Sequence, residues 1–256
     1  MSFSISLRIF SVTTALLLVC ARIWALSAND LMRDGDVCDV KLQASEALEF
    51  YLSAEKLEPQ NTRLLVSIAR QYRHLMVDAK NREEKLRLGG VALNYAQRAV
   101  AIAPNNSETQ LALAISCGKL LPLQGPKEQT EAAHVIKDAA DKAIKLDPQN
   151  DLAWHVLGRW HMVLAGVGGI KRALAPLFYG KLPDGSNEEA VACFQRAIEI
   201  NPNRLRHYIE LGQTYAQMGR TADARRLFAK GLAMPDVEKD DPEIKLLGRE
   251  TLAKLP

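Results

Sequence analysis

A recurring comb of small side chains constrains this chain more than any other feature. Ala190, Phe194, Ala197 and Pro202 stand 4, 3 and 5 residues apart. The same spacing returns at Ala47/Tyr51/Ala54/Pro59, at Ala92/Ala96/Ala99/Pro104 and at Ile136/Ala140/Ala143/Pro148. Residues at i, i+4 and i+7 share one helical face, and small ones there let a neighbouring helix approach closely. A proline about one turn further on stops the helix. Four helices built to one pattern predict an all-α helical repeat protein.

The remaining helices follow from periodicity and punctuation. Residues 26–36 read as a short lead-in ending in an Asp34-Gly35-Asp36 turn, and Val37–Leu57 as the first helix of a domain covering 37–256. Thr62 opens a helix with Leu65, Ile68, Tyr72 and Leu75 on its buried face. A charged turn at Lys80–Lys85 leads to Leu86–Ile102, and Ser107 caps a helix to about Leu120. Pro122, Gly125 and Pro126 break the chain before Thr130–Leu146. Asp151 caps the helix carrying Trp154, Leu157, Gly158 and His161. An insert, with a helix of its own over Ile170–Tyr179, occupies about 164–187. Two helices, Leu205–Met218 and Thr221–Leu232, precede a capping helix at about 242–254, a polar end for an otherwise open stack.

The first 25 residues stand apart. Ile9–Ala21 is apolar and hydroxylic, with Arg8 before it and Arg22 after. Thirteen residues reach roughly 20 Å as a helix, short of a hydrocarbon core. Three readings fit: a cleaved secretory signal with Ile23-Trp24-Ala25 at the cut, an organelle transit peptide, and a short signal anchor. Asn105-Asn106-Ser107 is a glycosylation sequon, in keeping with the first. Localisation therefore stays open between the secretory pathway and an organelle. A net charge of +3 is too small to imply a nucleic-acid partner. The four cysteines, at positions 20, 38, 117 and 193, have no metal or redox spacing.

Chemistry is sparse. The five histidines form no H-E-x-x-H, and His155 and His161 are six apart, on different helical faces. Gly166-Val167-Gly168-Gly169-Ile170-Lys171 lacks phosphate-loop spacing and follows a helix rather than a strand. No enzyme activity, cofactor or metal is expected.

Position by position the chain is similar to the tetratricopeptide repeat, which implies a right-handed superhelix of stacked antiparallel helix pairs. Tyr208, Leu211, Gly212, Tyr215, Ala224, Phe228 and Gly231 stand at that motif's signature places. Trp154, Leu157 and Gly158 with Ala190, Phe194, Ala197 and Pro202 make a second copy, interrupted by the insert. The lengthened spacing between prolines sets it apart from a regular array. Trp154-His155-Val156-Leu157-Gly158-Arg159-Trp160, then Ile170–Gly180, then Glu188-Glu189-Ala190 and the Phe194/Ala197 helix follow in an order that resembles the regulator of microtubule dynamics family. The resemblance implies a non-catalytic helical scaffold associated with microtubules and the spindle, or with organelle membranes in members bearing an N-terminal hydrophobic segment.

In the tetratricopeptide repeat the first helix of each pair lines the concave side. Counting its lining positions from Leu65, Gln110, Trp154 and Tyr208 gives twenty residues, six of them Arg or Lys and one Glu. The polar ones of interest are Arg63, Arg70, Arg73, His74, Lys119, His155, Arg159, Arg206 and Gln213. Cations gathered on a concave wall add their fields, and guanidinium matches carboxylate or phosphate bidentately. The expected ligand is an acidic segment of a protein partner, with tubulin or microtubules as the candidate. An anionic phospholipid bound or carried at organelle membranes, and a lumenal adaptor role, are the alternatives.

Overall fold

Asparagine and serine side chains set where the helices begin. In the computed structural model, which describes residues 27–169, 172, 175 and 181–256, Ser27 and Asp30 form a reciprocal capping box at the start of α1 (Ala28–Val40). After α2 (Ala44–Leu57), Asn61, Asn81, Asn106, Asn150 and Ser186 accept from backbone amides at the starts of α3 (Thr62–Asp78), α4 (Arg82–Ile102), α5 (Ser107–Leu120), α7 (Asp151–Ala165) and α8 (Asn187–Ile200). The cap residues of α5 and α7 are thus Asn106 and Asn150, one position before the expected Ser107 and Asp151. A 3₁₀ turn, Leu121–Leu123, leads to α6 (Pro126–Leu146), which starts at its proline rather than at Thr130. The chain ends with α9 (Leu205–Gln217), α10 (Thr221–Ala233) and α11 (Asp241–Lys254). The leader of residues 1–25, and the helix expected at Ile170–Tyr179 apart from residues 172 and 175, lie outside the described residues.

The helices form five antiparallel pairs, α1/α2 to α9/α10, in a tetratricopeptide-like superhelix closed by α11. Every alanine of the comb (47, 54, 92, 96, 99, 140, 143, 190 and 197) has no solvent exposure at all. At these positions second helices therefore approach their neighbours closely.

One correction concerns the N-terminal end. Asp34-Gly35-Asp36 is not a turn, and 26–36 is not a lead-in. These residues belong to α1, which is the first helix of a complete pair; the break falls at Lys41–Gln43, where Leu42 takes a positive φ of 58°. Packing explains this. A Cβ on Gly35 would stand 2.5 Å from the Tyr51 ring, so the glycine makes room for an aromatic on the partner helix. Gly158 faces Phe194 and Gly212 faces Phe228 in the same way, with Cβ clearances of 3.1 and 3.0 Å. Where the comb carries alanine instead, alanine answers it, as Ala69 does for Ala96 within one cluster.

A second repeated contact fixes the turns. The carbonyls of Pro104, Pro148 and Pro202 each accept a hydrogen bond from the side chain six residues on: Gln110 Nε2 at 2.7 Å, Trp154 Nε1 at 3.0 Å and Tyr208 Oη at 2.9 Å. Three different donors at one repeat position satisfy the same otherwise orphaned carbonyl. Two glycine substitutions separate packing from propensity. Gly35→Ala lowers unfolding stability by about 1–3 kcal/mol through overlap with Tyr51. Gly90→Ala, at an exposed α4 position with nothing within 4 Å of the new Cβ, raises it by roughly 0.5–1 kcal/mol. Chemical denaturation of both variants checks the pair.

Candidate functional site

First helices follow one another along one wall, and the polar side chains there reach from each first helix to the next. Arg63 and Arg70, both exposed on α3, reach α1: Arg63 pairs with Asp36, and Arg70 Nη1 lies 3.0 Å from Asp39 Oδ2. His74 is held 3.9 Å from the same Asp39, too far for a hydrogen bond. Arg73 points toward α5, where it donates to Ser116 Oγ at 3.1 Å and is only 8% exposed. Burial, and then the like charge of Arg70, bring its pKa down to about 9. Between α1, α3 and α5 a cleft of about 340 Å³ is lined by Asp36, Arg63, Arg70 and Glu108, among others.

Further along the arc, Arg159 of α7 is half exposed and binds Glu210 of α9 at 2.9 Å, while Glu210 itself is buried. His155, by contrast, is buried and does not open onto the wall. Its Nδ1 lies 3.0 Å from Nδ1 of His207, whose Nε2 lies 2.9 Å from Asp151 Oδ2. With both rings neutral, His207 donates to Asp151 and accepts from His155, so one proton per ring satisfies the whole chain. Burial, followed by the neighbouring His207, holds His155 well below the ordinary histidine range. Burial also lowers His207, against the opposing pull of Asp151. Burial lowers His74 to about 4. Gln213 keeps a buried Nε2 with no partner among the described residues.

At the far end the wall meets the α10–α11 connection. Lys119 of α5 binds Asp240 at 2.7 Å, and Arg206 of α9 binds both Asp240 and Glu238. Burial alone would raise Asp240, but Arg206 and Lys119 outweigh it and keep the carboxyl well below the usual range. Asp241 accepts the Val237 and Glu238 amides at 2.9 and 2.7 Å, so the Glu238/Asp240/Asp241 carboxylates already have protein donors. All six cations counted from the sequence thus have partners within the chain: five have carboxylates, and Arg73 has a hydroxyl. The answering acids, Asp36, Asp39, Glu210, Glu238 and Asp240, were not among the counted positions. Asp36 and Asp39 belong to the first helix of the first pair, and Glu238 and Asp240 to a connection between helices. Asn105 is exposed in the α4–α5 turn.

The family model described as Regulator of microtubule dynamics protein 1-3 matches residues 31–256, which begin inside α1 and take in all five pairs and α11. The chain belongs to the regulator of microtubule dynamics family. It is 26% identical over 200 residues to regulator of microtubule dynamics protein 2 of Macaca fascicularis, covering 78% of this chain and 49% of that protein. To protein 1 of Mus musculus it is 28% identical over 220 residues, covering 85% and 72%. The chain thus spans about half the length of the first of these relatives. A solved thermophilic TPR protein of Thermus thermophilus superposes with a TM-score of 0.65 at 17% identity, over 89% of this chain and all of that one, and shows the same fold. Family and fold are those of helical scaffolds. No described helix is long and apolar enough to cross a membrane.

The buried histidines set a pH dependence. A neutral histidine whose folded pKa lies below 6.5 binds fewer protons than in the unfolded chain, so its contribution is complete above pH 6.5 and is lost as pH falls. Stability measured by urea unfolding falls between pH 7.5 and 5.5, with His74 accounting for roughly 1 kcal/mol. His74→Gln removes that share; an unchanged midpoint in the parent chain contradicts the burial.

Proposed function

We propose that this chain is a non-catalytic interaction scaffold that takes an acidic segment of a protein partner along the wall of first helices. One observation carries the reading: guanidinium and ammonium groups from α3, α5, α7 and α9 line one wall, and nearly all already hold carboxylates in binding geometry. Cations arranged to hold carboxylates of the same chain are arranged to hold those of another. The relatives' name, regulation of microtubule dynamics, makes the microtubule the first partner to test. The cleft lining, with Asp36, Arg63, Ser67, Arg70 and Glu108 beside Val66, suits a peptide better than acyl chains and ranks a phospholipid ligand second.

Co-sedimentation of the purified chain with polymerised tubulin, at low and raised salt, tests this. Binding is expected at low salt and weakens as salt rises. Replacing the exposed cations together (Arg63→Gln, Arg70→Gln and Arg159→Gln) reduces it about tenfold while circular dichroism stays unchanged. Salt-independent binding, or binding untouched by the triple substitution, contradicts the reading; phospholipid retained in native mass spectrometry favours the lipid alternative.

A further inference from the structure

The connection between α10 and α11 is more than a link. From Pro235 to Asp240 it has no regular structure beyond a turn, and its first three residues, Pro235, Asp236 and Val237, are exposed. Its charged side chains reach far along the wall. Asp240 holds Lys119 of α5, 121 residues away in sequence, and Lys239 holds Asp78 at the end of α3, at 2.9 Å. Glu238 takes Arg204 at 2.6 Å and shares Arg206 with Asp240. This segment therefore sits where an acidic ligand would, on cations from two different repeats. We propose that the acidic segment 236–240 is an internal occupant of the wall, and that the partner displacing it is an acidic peptide with carboxylates converging on Arg206 and Lys119.

Three observations support exchange rather than a purely structural tie. The last helix has an apolar seat of its own, since Gly248 packs on Ile209, and Ile244, Leu252 and Leu255 pack on the last pair's core, in addition to the Asp241 cap and the Lys245–Asp236 pair that join it to the segment. The segment's one large apolar side chain, Val237, is 62% exposed, so charge rather than buried hydrocarbon holds the segment to the wall. Arg206, whose side chain is 15% exposed, cannot be left unpaired cheaply. Release thus requires replacement carboxylates, which discriminates against neutral partners. The tether makes the internal ligand a strong competitor, because its effective concentration is high without any gain in contacts.

This inference rests on the acidic-ligand reading of the wall, and one set of measurements separates the two. A fluorescein-labelled hexaglutamate peptide, with hexaglutamine as control, is titrated by anisotropy into the full chain, into Glu238→Gln and into Glu238→Gln/Asp240→Asn. Weak binding to the parent and about tenfold tighter binding to the double variant are expected, as the occupied fraction is removed. Equal binding to all three overturns the internal occupant while leaving the acidic-ligand reading standing; no binding to any overturns both. Should the double variant fail to fold, hydrogen exchange on the unmodified chain decides. Hexaglutamate at saturation is expected to speed exchange of the Val237 and Glu238 amides at least about fivefold. Saturation without that change overturns the proposal.

Discussion

Side chains no larger than a methyl group at every close approach are what the rest of this structure depends on. Nine fully buried alanines across four second helices let backbones meet, and in three pairs a glycine of the first helix meets an aromatic ring of the second. Interiors tolerate little change in volume, so each contact fixes the angle and depth at which a pair sits on the next. Repeated five times, that fixed step produces the arc, and the arc determines which remote residues become neighbours. Without it Lys119 and Asp240 would have no reason to meet.

On the wall so formed, charge is balanced locally rather than globally. Arg63 and Arg70 look back to α1, Arg159 forward to α9, and Arg206 sideways to the α10–α11 connection. Exposed pairs of this kind contribute little stability each. The partly buried ones are different, since removing either partner strands a charge in poor solvent. On this wall five of the six cations expected from the sequence are answered by an acid of the same chain. This local balance is distinct from the net charge, which is only +3 for the whole chain.

Much of the fold was legible because its determinants are local: a comb of small residues, prolines one turn beyond it, and cap residues before each helix. The first pair is hidden in the sequence for an equally definite reason. Gly35 in Asp34-Gly35-Asp36 has the composition of a turn, yet it is the small partner of Tyr51, as Gly158 is of Phe194. Leu31 and Gly35 stand four apart, as Trp154 and Gly158 do in a first helix. The wall's cations could be counted along each first helix, but their partners come from other helices and a connection, with separations of 27 to 121 residues. Spacing along the helix places His155 on the wall, yet it is buried, because His207 of another helix closes over it.

The packed arc is what brings these distant charges together. A double-mutant cycle of Lys119→Ala and Asp240→Ala, scored by unfolding free energy at low salt, measures this directly. A coupling of about 1 kcal/mol or more, shrinking as salt rises, is the result predicted. Two losses that simply add would contradict it.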